Sequence, residues 1–275
     1  MPRVLPLLLA CVAAFALGCQ ESGFDENKET SKPLKVQHAL GESKVPGQAE
    51  EPLTLTVDTL DDALALGVRP ARAAVPDAKL PAYLRGSGGG VALMRPVTAA
   101  DLAAAEAVHP DVILGSAEDQ AKLYEDLSRI APTVMTDGGG GQWKLNLRLV
   151  GEGMGRTNDA EQLLTDYDRE AAQARRTIAA DVPGRPSVAV VQVTDGGLRY
   201  AKRNSFAGTL LTDAGVTQVG DMDAADAVLL SEADGANAVF EGSFTRVDDA
   251  LWWGDGGPLA ARAALADLQR ALAPR

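Results

Sequence analysis

Cysteine, histidine, aromatic residues and positive charge are all scarce in this chain, and each shortage removes a class of function. Two cysteines and two histidines occur in 275 residues. A zinc knuckle, a C-x-x-C redox pair and a multi-histidine metal site are excluded, because each needs several such ligands at close spacing. Aromatics make up only 4% of the chain, so the position of each tryptophan is informative. Acidic residues outnumber basic ones 38 to 26. Phosphate neutralisation takes a basic face, which excludes a nucleic-acid partner and leaves the surplus as a solubilising charge. The longest apolar stretch, residues 4–17, is interrupted by Pro6 and falls short of the ~20 residues that a spanning helix needs. No G-x-S-x-G elbow is present, and no histidine is placed to serve one.

That apolar stretch is the first feature present. Met1 and Arg3 form a short basic start, and Gly18-Cys19 supplies a small residue followed by a thiol. Residues 1–18 are therefore expected to be a signal peptide, with the mature chain beginning at Cys19. Diacylglycerol and palmitate-type acyl chains on that cysteine would hold the protein at the extracytoplasmic face of the cell membrane. Leu8-Leu9-Ala10-Cys11 is also lipobox-like, but it leaves too short an apolar core before Cys11. With residues 1–18 removed, Cys19 is the only cysteine and no intramolecular disulfide can form. Residues 19–32 are polar and charged, the composition of a flexible tether.

From Pro33 onward short β-type runs alternate with longer helical patterns: 53–57 then 60–67, 112–114 then 118–130, and 133–135 then 143–151. This alternation specifies an α/β fold. Glycine runs at 86–90 and 138–141 read as loops; the second follows a strand but lacks the spacing and the Lys-Ser/Thr of a phosphate loop. Asn158 and Glu161 have capping-box spacing, and Leu163, Leu164, Tyr167, Ala171, Ala174 and Ile178 then recur at helical intervals. A helix of about 22 residues, roughly 33 Å at ~1.5 Å per residue, is predicted before Pro183-Gly184. One helix of that length between two α/β halves reads as a strut. Strands are predicted at 187–193, 198–201, 228–230 and 244–248, with helices at 205–214 and 258–271.

Several segments in order carry a family resemblance. Val36-Gln37-His38-Ala39-Leu40-Gly41-Glu42 and the following Ser43-Lys44-Val45-Pro46 are one, and Ala65-Leu66-Gly67-Val68 a second. His109-Pro110-Asp111-Val112 comes next, followed by Leu127-Ser128-Arg129-Ile130-Ala131-Pro132-Thr133-Val134. Trp143 with Asn146, Gly155-Arg156, Arg199-Tyr200, Asn204-Ser205-Phe206-Ala207 and Val247-Asp248-Asp249-Ala250-Leu251-Trp252 complete the set. Together they resemble the periplasmic-type substrate-binding proteins of ABC transporters for iron–siderophore, haem and cobalamin complexes. The resemblance implies two α/β lobes joined by a single long helix, the helical-backbone type of metal-complex receptor, with a ligand cleft between lobes. The corresponding division is an N-terminal lobe at 33–156, a connecting helix at 157–181 and a C-terminal lobe at 182–275. It further implies a monomer that binds a ferric siderophore or haem as transported ligand, hands it to an ABC permease, carries no covalent cofactor and catalyses nothing.

Ligands of open α/β sheets sit beyond the carboxyl ends of the strands, so the loops there supply the candidates. They are Ser116, Trp143, Tyr200, Arg203, Asn204, Trp252 and Trp253, with Arg95 before the expected helix start at Asp101-Leu102. Indole faces suit the apolar arms of a chelate, and arginine forks suit its oxygens. Each tryptophan also has a reading as a core plug, and Tyr83 reads as a packing or rim residue. Two departures from the family pattern bear on partners. Ala103 stands where a permease-pairing glutamate is usual, with Glu106 one turn on, and the second lobe is reduced between Val219 and Ser231. They keep open a second reading, an envelope lipoprotein that binds haem or another chelate, or acts as a scaffold, without docking to a permease.

Overall fold

The computed structural model describes residues 32–182, 184–233 and 243–274. The expected signal peptide, Cys19, Cys11 and nearly all of the tether lie outside them. The described chain opens with an antiparallel hairpin of β1 (Leu34–His38) and β2 (Gly41–Val45). Alternation along it turns Val36, Ser43 and Val45 inward.

The first lobe is a wholly parallel sheet of β3 (Leu53–Thr54), β4 (Arg72–Ala74), β5 (Leu93–Met94), β6 (Ile113–Ser116) and β7 (Thr133–Thr136), in the order β5-β4-β3-β6-β7. A parallel sheet is covered on both faces, which is why Ile113, Leu114, Val134 and Met135 are consecutive apolar pairs and all buried. The covering helices are α1 (Val57–Ala65), α2 (Leu102–Glu106), α3 (Ala117–Gln120), α4 (Tyr124–Ile130) and α5 (Trp143–Gly153). Residues 118–130, predicted as one helix, are interrupted by a 3-10 turn at Ala121–Leu123. Gln120 causes the break: its buried side chain turns back to accept from the Ser116 N–H at 2.9 Å, satisfying the end of β6. The hairpin is pinned to β7, because Ser43 Oγ donates to the Thr133 carbonyl at 2.7 Å.

The predicted strut is present as α6 (Thr157–Asp181), a helix of 25 residues. Its buried stripe is Ala160, Leu164, Tyr167, Ala171, Ala174 and Ile178, steps of four and three that keep one face inward along the whole length. The expected capping box does not form. Arg156 is the N-cap residue, Asn158 lies exposed inside the first turn, and Glu161 binds Arg148 Nε at 2.7 Å. The turn through Gly155 ends α5 and starts α6 at Thr157, ahead of the place where Asn158 could act.

The second lobe contains β8 (Ser187–Thr194), β9 (Gly197–Tyr200), α7 (Phe206–Asp213), β10 (Thr217–Gln218), β11 (Ala227–Glu232), β12 (Thr245–Arg246), α8 (Asp249–Trp253) and α9 (Pro258–Leu272). Strands β10-β8-β11-β12 are parallel, and β9 folds back antiparallel on β8. Residues 219–226 cross from β10 to β11 without a helix, the reduction expected there. The link between β11 and β12 falls largely outside the described residues.

Three ties besides the covalent strut hold the lobes together. Lys144 on α5 bridges Asp168 on α6 and Asp213 on α7, each at 3.0 Å, and Tyr167 donates to the same Asp213 at 2.9 Å. Asp255 Oδ1 accepts from the Gly140 N–H at 3.0 Å. The third tie is an N-cap supplied in trans. The residue preceding α9 is Gly257, with φ +151 and no side chain to cap with, and the first-turn N–H groups of Leu259 and Ala260 donate instead to Asp61 on α1, at 2.8 and 2.9 Å. A Cβ on Gly257 would stand 2.4 Å from the Asp61 carboxyl carbon, so glycine is what allows this approach.

Candidate functional site

A cavity of about 500 Å³ lies where the loops of the two lobes meet. Glu118 at the start of α3 and Gly139 and Gly140 after β7 form its first-lobe wall. Arg199 and Tyr200 on β9, Lys202 and Asn204 on the loop into α7, Trp252 and Trp253 on α8, and Asp255 enclose the rest. Its volume and mixed apolar and charged lining suit a small-molecule chelate.

Of the residues chosen from sequence, Tyr200, Asn204, Trp252 and Trp253 come together here. Trp252 forms a floor: it is buried, and its Nε1 donates to Asp267 on α9 at 3.1 Å. Trp253 is half-buried, with the Arg199 guanidinium 4.4 Å from its ring centre, a cation–π pair at the rim. Its Nε1 is buried without a hydrogen-bond partner.

The other four lie elsewhere. Trp143 is a core residue, 1% exposed, met edge-on by Tyr167 at 4.8 Å and Phe206 at 6.3 Å. Its place at the head of α5, flush against α6 and α7, turns the indole away from the cavity. Ser116 is buried and caps α3, its Oγ accepting from the Glu118 N–H at 3.1 Å, with Gly138 packed over it. Arg95 follows β5, the edge strand farthest from β7, and is exposed away from the seam. Arg203 is exposed and is not among the residues lining the cavity, although its neighbours Lys202 and Asn204 are. Tyr83 packs near Asp61, outside the cavity.

Arg199, Lys202, Glu118 and Asp255 were not singled out from the sequence. Which side chains of β9 and of the loop after it face the cavity is not marked locally, and the carboxylates carry no local signal either. Burial in the seam raises the Asp255 pKa, with Asp119 adding repulsion and the Gly140 N–H opposing. Residues 138–141, expected as a loop, are a packed seam. A Cβ on Gly141 would come within 2.1 Å of the Asn204 carbonyl oxygen, and Thr209 Oγ1 donates to the Gly141 carbonyl at 3.4 Å. The two histidines lie outside the cavity lining: His38 is bonded within the hairpin to Leu40 and Ser43, and His109 stands in the turn after α2.

Two α/β lobes on one helical strut, with a mixed polar and aromatic cavity at the seam, define a two-lobed binding protein of the rigid-connector type. A profile of the Periplasmic binding protein family matches residues 93–253, and the chain belongs to that family. The "Probable siderophore-binding lipoprotein YfiY" of Bacillus subtilis is 28% identical over 211 residues, 76% of this chain and 64% of the relative, so the match spans slightly under two thirds of that protein. The "Achromobactin-binding periplasmic protein" of Dickeya dadantii is 30% identical over 169 residues, 59% of this chain and 54% of the relative. Among solved structures, Staphylococcus aureus SirA complexed with staphyloferrin B superposes with a TM-score of 0.74 at 22% identity, covering 87% of this chain and 98% of that one. The similarity at that level of identity is one of fold.

Proposed function

We propose that this chain is a lipid-anchored extracytoplasmic binding protein that captures a ferric siderophore and delivers it to an ABC importer, without chemistry of its own. The observation that carries the reading is the seam cavity, where Trp253 under Arg199 and the buried Trp252 offer aromatic faces beside cationic donors. Apolar chelate arms around an oxygen-rich centre are complementary to that pairing. Siderophore-binding relatives in the same family support it. Anchoring through Cys19, a monomeric state and permease docking belong to the same reading.

Tryptophan emission of the purified soluble chain is expected to be quenched saturably by at least one ferric siderophore in a panel differing in donor type. Binding that never saturates across the panel would refute the reading. Labelled fatty acid is expected in the full-length protein and absent from Cys19→Ala; label retained in that variant would refute the anchor.

A further inference from the structure

The cavity is lined by charged groups of both signs. Glu118 lies against Gly138, whose Cβ would come within 2.9 Å of Glu118 Oε2, and Asp255 is bonded to Gly140 on the same loop. Both carboxylates thus border one glycine loop. Arg199 stacks on Trp253, and Lys202 stands on the loop into α7. No ion pair joins the two sets among the described residues, and the Glu118 carboxylate has no side-chain partner there. Charged groups of both signs, left unneutralised by each other, line one cavity.

We infer that the cavity is built for a ferric chelate of zero or positive net charge that carries a free ammonium arm, the arm lodging between Glu118 and Asp255 while the metal-binding oxygens face Arg199 and Lys202. The inference rests on the siderophore reading and deepens it. A polyanionic chelate filling the same space would bring oxygens of like sign against Glu118 and Asp255, a juxtaposition that selects against wrong ligands. The chain as a whole carries a formal net charge of -12, which draws cationic chelates toward the cleft and repels anionic ones during approach.

The test uses three probes on the purified soluble chain: ferrioxamine B, a ferric trihydroxamate with one free ammonium arm; its N-acetylated form, identical but uncharged; and a ferric tris-catecholate, which is trianionic. Fluorescence titration is expected to show ferrioxamine B binding about tenfold or more tighter than the acetylated form, the size of one hydrogen bond to a charged group. Glu118→Gln is expected to remove most of that preference, and added salt to shrink it. Because Glu118 is exposed, this variant folds on any reading; Asp255→Asn, which keeps an acceptor for Gly140, supplies a second arm. Equal affinity for the two trihydroxamates, or tighter binding of the tris-catecholate, would overturn the charge assignment and leave the siderophore reading standing. Failure of all three, and of every other chelate tried, would overturn the siderophore reading itself.

Discussion

Replacing Asp61 by alanine tests how the lobes are joined, and the structure fixes both the size and the pH dependence of the effect. The carboxyl accepts from Leu259 and Ala260 at 2.8 and 2.9 Å, and Ala260 is fully buried. Removing it leaves two first-turn N–H groups of α9 without partners, at ~1–3 kcal/mol for each buried group left unmade. An ordinary N-cap deletion costs about 0.5–2 kcal/mol. A loss of about 3 kcal/mol is therefore expected in mildly acidic solution. Against this stands the cost of an ionised carboxylate in the same place. Burial pushes the Asp61 pKa up to about 7 and that of Asp58 up to about 6, and drives Asp62, neither of whose oxygens is hydrogen-bonded, well above the carboxylate range.

A folded pKa above the unfolded value means that the native state binds the extra proton, so stability falls as pH rises between the two. For Asp61 that window runs from the ordinary value of 3.8 to about 7, worth about 4 kcal/mol at ~1.4 kcal/mol per unit. The wild-type chain should thus lose stability from about pH 4 to about pH 7, while Asp61→Ala lacks this component of the loss. The gap between them is expected to be near ~3 kcal/mol at about pH 4 and to close by about pH 7, read by urea unfolding with fluorescence and circular dichroism. A gap that stays constant, or widens with pH, would show that Asp61 is a stabilised anion in the native state and refute the reasoning.

Trp143→Ala should cost ~3–5 kcal/mol of stability as a core deletion, whereas Trp253→Ala should weaken chelate binding about tenfold or more with a small effect on the urea midpoint; the reverse pattern would exchange their roles. Gly141→Ala places a methyl group 2.1 Å from the Asn204 carbonyl oxygen. Because that neighbour is backbone, the seam must open, and a loss of about 1–3 kcal/mol is expected by thermal unfolding; an unchanged midpoint would show that the lobes are not in contact there. X-ray scattering of free and chelate-loaded protein should nearly superimpose, and a clear fall in radius of gyration on loading would show a jointed connector.

The strut was legible because its signal is long and one-sided: six buried positions over α6 recur with the helical period, and no competing pattern crosses them. Strands buried on both faces, such as β6, β7 and β8, were legible for the same reason, as continuous apolar runs. Placement around the cavity was less legible: four of the eight chosen residues line it. Trp143 and Trp253 both sit at helix ends beside loops, and nothing local separates them. Trp143 is buried because Tyr167 and Phe206 close on it from other elements. The loop after β9 was expected over the cavity and does line it through Lys202 and Asn204; that Arg203 between them does not is a matter of side-chain direction, which no local pattern records. Asp61 gave no sign of capping α9, since its partners are 198 and 199 residues away. The capping box at Asn158 and Glu161 went unused for a local reason, the turn through Gly155, which starts α6 at Thr157 ahead of Asn158.

The ties between the lobes also constrain how the cavity can select its ligand. A hinged receptor can spend the free energy of closure on desolvating whatever it has enclosed, and its specificity is then tested by the closed state. Here α6 is unbroken, the Lys144–Asp213–Tyr167 network clamps the strut to both lobes, and Asp61 anchors the C-terminal helix on the first lobe. The glycine loop is packed against Asn204 and Asp255 before any ligand arrives. Opening or closing this seam would break a hydrogen bond or ion pair at each tie, so discrimination falls to groups already fixed around the cavity. Asp255, bonded to the Gly140 N–H, and the Arg199–Trp253 stack are such groups, each held by a contact that does not involve the ligand. In a receptor of this kind, changing the charge of a single wall residue should alter which chelate is bound more than it alters the shape of the protein.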